Sequence, residues 1–159
     1  MIKILTIVLT LSTALAVPAR ADNSRAPLPA AAVTPAAATL KEIEGALGFV
    51  PAFVRLIPES LLPGVWDQLK SLEMNPKTAL DNRTKELIGL AVAAQIPCEY
   101  CVYFHTKAAK ANGATDQQIL EAIGMASLTR AGSTFLNGAQ ADLAQYKKDV
   151  DRIFKPRGK

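Results

Sequence analysis

Two cysteines and a single histidine occur in 159 residues, and all three fall within Pro97-Cys98-Glu99-Tyr100-Cys101-Val102-Tyr103-Phe104-His105. On a helix, Cys98, Cys101 and His105 occupy positions i, i+3 and i+7, which share one face. Pro97 suits the first helical position, where its missing N–H has no intrahelical partner to lose. Cys98 then falls in the first turn, where unpaired amides and the positive end of the helix dipole favour a thiolate. His105 lies one turn past Cys101, close enough to exchange a proton with it. These types at this spacing suit a redox dithiol: a thiolate attacks, and a neighbouring base takes its proton. The dipole favours Cys98 as the attacking sulfur and the relay favours Cys101, so the residues alone leave both open.

The elements that must position this stretch read as helices. Thr39 with Glu42 forms a capping box, and a first helix starting near Thr34-Pro35 or at Thr39 carries Leu40, Ile43 and Leu47 to a stop at Gly48. Pro51 opens a short turn with Phe53, Val54 and Ile57. Ser60 can cap a helix with Leu62, Val65, Trp66, Leu69 and Leu72 at helical spacing to about Met74. Asp81 can cap the next, to about Gln95. Its Leu87, Ile88, Ala91, Val92, Ala93 and Ala94 leave it apolar around most of its circumference, as in a central buried helix, and Gly89 permits close helix approach. Glu86 stands out there: it is either an exposed carboxylate favoured by the dipole or a partner for His105. The cysteine helix ends at Asn112-Gly113, and Thr115 with Gln118 forms another capping box. Ile119, Leu120, Ile123, Ala126 and Leu128 take that helix to about Ala131. Gly132-Ser133 separates it from a last amphipathic helix with Leu136, Leu143, Tyr146, Val150 and Ile153, ended by Pro156. With no sustained period-two alternation and no repeat, the expected fold is a single all-α domain of about six or seven helices over residues 39–155.

Composition agrees. Half the residues are hydrophobic but only 6% are aromatic, which suits packed helices better than a β-sandwich. Lys3, the uncharged run Ile4 to Ala16 and the small residues of Ala19-Arg20-Ala21 have the layout of a signal peptide over residues 1–21. The run is short for a membrane span, which needs about 20 residues. Residues 22–38 read as an Ala/Pro-rich linker. Cleavage would take Lys+Arg from 18 to 16 against 14 Asp+Glu, so the net charge would fall from +4 to +2. That is no nucleic-acid footprint, and no membrane association is expected of the cleaved chain. Export implies an oxidising compartment, a bacterial periplasm, where such a pair readily forms a disulfide. A bridge over so short a loop constrains little of the unfolded chain, which weighs against a purely structural role.

Glu86, Cys98 twelve residues on, Cys101 and His105 together resemble the alkylhydroperoxidase D and carboxymuconolactone decarboxylase family, whose redox branch carries E, eleven residues, then C-x-x-C-x-x-x-H. The likeness extends from about Leu40 to Gly138, through Gly48-Phe49-Val50-Pro51, Lys85-Glu86-Leu87-Ile88, Ala91-Val92-Ala93-Ala94, Asn112-Gly113-Ala114-Thr115-Asp116 and Leu136-Asn137-Gly138. The resemblance implies an all-α fold assembling as a homotrimer or homohexamer, and a dithiol that reduces peroxides or exchanges with a protein disulfide. It implies no cofactor, and an external thiol reductant whose identity the residues do not give. By the same resemblance Cys101 attacks the peroxide, Cys98 supplies a proton and closes the disulfide, and Glu86 with His105 forms the relay. In alkylhydroperoxidase D itself a histidine precedes the second cysteine; here Tyr100 stands there, so the relay is shorter. The decarboxylase branch generally lacks the cysteine pair.

Two other readings compete. Cys98, Cys101 and His105, with Glu86 as a fourth ligand, are a plausible zinc set. Alternatively, Cys98–Cys101 is a permanent bridge in a non-catalytic protein.

Overall fold

The computed structural model describes residues 33–156, so the expected signal peptide and residues 22–32 of the linker lie outside it. Among the described residues there are six α-helices and no strand, so the fold is all-α. The compact unit begins at Pro35.

Helix α1 spans Pro35–Leu47, the earlier of the two starts the sequence offers, so Pro35 to Ala38 form its first turn and do not belong to the linker. Thr39 therefore cannot cap; it lies inside the helix, and its hydroxyl donates to the Pro35 carbonyl at 2.9 Å. Gly48 ends α1 in the left-handed region, with φ 81°. A 3₁₀ turn, Ala52–Leu56, leads to α2, Leu62–Gln68, which continues as a π-helical turn over Leu69–Glu73. Ser60 does not cap α2. Leu61 holds the cap position without a side-chain bond, and the Pro58 carbonyl accepts from the amides of Leu61 and Leu62. Ala36, Ile43, Val54, Leu62 and Trp66 form one apolar core. The Trp66 indole N–H donates to Glu42 at its edge, at 3.2 Å.

Helix α3 spans Asn82–Gln95, and the Asp81 carboxylate accepts from the Thr84 amide at 2.7 Å as its cap. Helices α4, Glu99–Ala111, and α5, Asp116–Gly138, both pack on it. Leu90, Ala109, Ala114 and Ile119 form this second core, and Leu90 is wholly buried. Burying one such leucine contributes about 2 kcal/mol. The expectation that α3 is buried nearly all round is corrected. Ile88 and Val92 remain about half exposed, because α4, α5 and the π turn leave one flank of α3 uncovered.

Thr115 and Gln118 form the expected capping box of α5. Gly132-Ser133 does not break that helix, which runs on for 23 residues. A glycine in a helix interior costs only about 1 kcal/mol. The hydroxyls of Thr129 and Thr134 bond back to the carbonyls four residues earlier. The chain turns instead at Gln140, with φ 50°, and α6, Leu143–Ile153, starts from Asp142. Leu136 therefore belongs to α5. The apolar stripe of α6 has no buried residue, and no described helix is long and apolar enough to cross a membrane.

Candidate functional site

The site grows from the junction of α3 and α4. At the end of α3 the Ala93 carbonyl accepts from the Cys98 amide at 3.1 Å, folding the chain back within three residues. Arg130 of α5 grips this end from the side: its Nε donates to the Gln95 side chain at 2.6 Å, and an Nη donates to the Gln95 carbonyl at 3.1 Å.

Pro97 is not the first residue of α4. The helix starts at Glu99, and Cys98 is its N-cap with extended backbone. Proline disfavours helical backbone in the residue before it, and here its fixed φ instead shapes the turn between the helices. The Cys98 sulfur takes the role that a serine or aspartate oxygen usually fills, accepting from the Cys101 amide at 3.2 Å. Cys98 and Cys101 are joined as a disulfide with Cα atoms 5.3 Å apart. When that bridge is reduced, the cap position gives a Cys98 thiolate an amide donor and the positive end of the dipole.

One turn on, about 6 Å along the axis, His105 faces α3. Its Nδ1 lies 2.7 Å from Oε2 of Glu86. Glu86 is 4% exposed, so of its two sequence readings the His105 partner is the one the structure contains. With Nδ1–H donating to the carboxylate, Nε2 of the neutral ring is left as the free base. The ring lies directly on Gly89: a Cβ there would stand 2.5 Å from Cε1, 2.6 Å from Nδ1 and 2.8 Å from Nε2. From sequence, Gly89 serves close helix approach in general. The specific need is room for one imidazole. The Phe104 ring meets His105 edge-on, with centroids 5.2 Å apart.

The structure thus assembles two pairs, Cys98 with Cys101 at the start of α4, and His105 one turn further along α4 with Glu86 of α3. It also adds a residue that the sequence reading missed. Glu73, the last residue of the π turn, brings a carboxylate oxygen into a cluster with one carboxylate oxygen of Glu86 and one ring nitrogen of His105, all within 4.8 Å of one another. Lys85 holds that turn in place. Its ammonium donates to the carbonyls of Leu72 and Asn75, both at 2.7 Å, and to the Thr78 hydroxyl at 2.9 Å. Burial and the nearby Glu86 charge raise the Glu73 pKa above the usual carboxylate value, while His105 and Lys85 oppose the rise. No spacing rule links Glu73 to Glu86, because the connection runs through a loop whose path only the fold sets.

A Cys2His metal set is not what this state of the molecule presents, since the sulfurs bond each other and His105 bonds Glu86. Cys98 opens onto a groove of about 600 Å³ lined by Ala94, Pro97, Val102, Tyr103 and Lys107. Tyr100, in the place of the relay histidine, is 90% exposed.

Comparison with known proteins gives the family and the fold. The model of the carboxymuconolactone decarboxylase family matches residues 62–143, from the start of α2 to the start of α6. The crystal structure of the alkylhydroperoxidase AhpD core from Rhodospirillum rubrum superposes with a TM-score of 0.61 at 30% identity, covering 69% of this chain and 82% of that one. Uncharacterized protein 4 in the cox locus of Paracoccus denitrificans is 46% identical over 63 residues. That match takes in 40% of this chain and spans 57% of the length of that curated relative.

Proposed function

The chain belongs to the carboxymuconolactone decarboxylase family, and on that footing we propose that it is an exported thiol-dependent peroxidase or disulfide oxidoreductase working through Cys98 and Cys101. The observation that carries the reading is the bridged cysteine pair at the start of α4 with His105, one turn further along that helix, bonded to Glu86 of α3. A fold likeness to an alkylhydroperoxidase core supports it.

The steps follow from the positions. Glu86 orients His105 through Nδ1, and Nε2 takes the proton of Cys101. The Cys101 thiolate attacks the distal peroxide oxygen. The O–O bond breaks, the alcohol leaves with a proton, and Cys101 becomes a sulfenic acid. The Cys98 sulfur then attacks Cys101 and expels water, which restores the bridge seen here. Overall, ROOH and two thiols give ROH, water and a disulfide. An external dithiol returns the two electrons by attacking Cys98, the cysteine that lines the groove. A protein disulfide enters the same cycle in place of the peroxide. In a periplasm that dithiol cannot come from the cytosolic pool, so the reductant is itself an exported thiol carrier.

Self-association fits the surface. Leu128, Phe135, Leu143 and Ile153 are each at least 60% exposed on α5 and α6, and apolar side chains left in water favour burial against a partner. We assign it to further copies of this chain, as a trimer or hexamer.

The reduction potential of the pair tests the redox reading against the inert-bridge alternative. Equilibration with a dithiol buffer is expected to place the Cys98–Cys101 couple above about −300 mV, among catalytic exchangers, because the cap amide stabilises the reduced Cys98 thiolate. A value below that range would identify a structural bridge. Screening peroxides and disulfides alongside would then give the substrate.

A further inference from the structure

The Glu86–His105 pair is shared by the four-residue motif, but Glu73 lies outside it. We infer that Glu73 is a positioning residue of the relay: its carboxyl, set beside Glu86 and His105 by the π turn, governs how strongly the imidazole holds the proton it takes from Cys101. The inference rests on the redox reading of Cys98 and Cys101.

Three observations meet at this residue. The first is distance, since oxygens of Glu73 and Glu86 and a ring nitrogen of His105 lie within 4.8 Å of one another. The second is anchorage. Three Lys85 hydrogen bonds fix the segment Leu72 to Thr78 on α3, so Glu73 is held and not merely nearby. The third is cost. Burial and Glu86 both resist ionisation of Glu73, so a carboxylate is kept where it is unfavourable to keep one. Residues under such constraint beside reacting groups are candidates for function.

The groups that set the charge of Glu73 are Glu86 and Lys85 on α3 and His105 on α4. While Glu73 is protonated, the imidazolium faces one carboxylate. Once Glu73 ionises it faces two, and the pair of anions favours the state in which the proton has moved from the Cys101 thiol to the ring. The thiolate fraction then rises as pH passes through the ionisation of Glu73. Stability moves the other way. The folded chain holds the Glu73 proton more tightly than the unfolded chain, so its contribution is full at low pH and is lost as pH rises through the folded value.

His105 is the only histidine, so its Hε1 resonance reports the site without ambiguity. In the full mature chain, that resonance is expected to show an extra step at the pH where Glu73 ionises, and Glu73→Gln should remove the step. Peroxide consumption by reduced E73Q should match the unmodified protein below that pH and run about 3–10-fold slower above it. Thermal melting at neutral pH should show E73Q no less stable, which separates an electrostatic role from a folding one. Identical Hε1 curves for the two proteins would overturn the inference. Failure of both proteins to consume peroxide or reduce disulfides would overturn the redox reading instead, and the resonance would still decide the role of Glu73.

Discussion

Replacing Cys101 with serine is expected to reduce peroxide consumption at least about 10³-fold, the scale of loss when a nucleophile is removed. A serine hydroxyl at this position has neither the acidity nor the sulfur chemistry to accept oxygen from a peroxide. The companion substitution Cys98→Ser separates the two roles. Cys101 keeps its place one turn from His105, and the introduced hydroxyl can still cap α4 by accepting from the Cys101 amide, as the sulfur does. Such a protein should react once, stop as a sulfenic acid that a carbon nucleophile traps, and fail to turn over. Kinetics in excess dithiol with mass analysis of the trapped product checks both variants. If Cys98→Ser abolishes the first attack while Cys101→Ser preserves it, the two sulfurs exchange roles and the cap position, not the relay, selects the nucleophile.

The second large effect is expected at Gly89. A methyl group there would stand 2.5–2.8 Å from three ring atoms of His105, far inside van der Waals contact. The ring must shift, and with it the 2.7 Å bond to Glu86. A misplacement of about 1 Å in a catalytic group costs about 10²-fold in rate, so Gly89→Ala should lose activity on that scale. The stability result makes the test specific. A glycine-to-alanine change inside a helix ordinarily gains about 1 kcal/mol. At Gly89, overpacking costs of about 1–3 kcal/mol oppose that gain. Gly124→Ala on α5, where a Cβ meets nothing within 4 Å, should be active and at least as stable. Denaturant melts and peroxide assays of the two variants give the comparison. Full activity in Gly89→Ala would show that His105 does not need its present seat.

How much of this was legible in the residues depended on how local the cause is. The caps at Asp81 and Thr115 rest on contacts three residues apart, and both form as the sequence indicates. The pairing of Cys98 with Cys101 and of Glu86 with His105 follows from motif spacing on adjacent helices. Errors arose where a local signal competed with a longer one. Thr39 looks like a cap because Glu42 follows it, yet Pro35 already provides a suitable first turn. Gly132-Ser133 looks like a break, but the penalty is small beside the helix that continues on either side. Apolar residues around most of the circumference of α3 point to a central, buried helix. Ile88 and Val92 face a flank that this chain alone does not cover. Glu73 was beyond reach, since it joins the site through a turn anchored by Lys85 across 7 to 13 positions of sequence.

Counting thiols through a single turnover tests the dithiol reading most directly. The chain has two cysteines, so one equivalent of peroxide added to the reduced protein should take the free thiols from two to none and leave an intramolecular Cys98–Cys101 disulfide, identified by peptide mass. Two thiols still titrating after the peroxide has gone, or a peroxide left unconsumed, would contradict it.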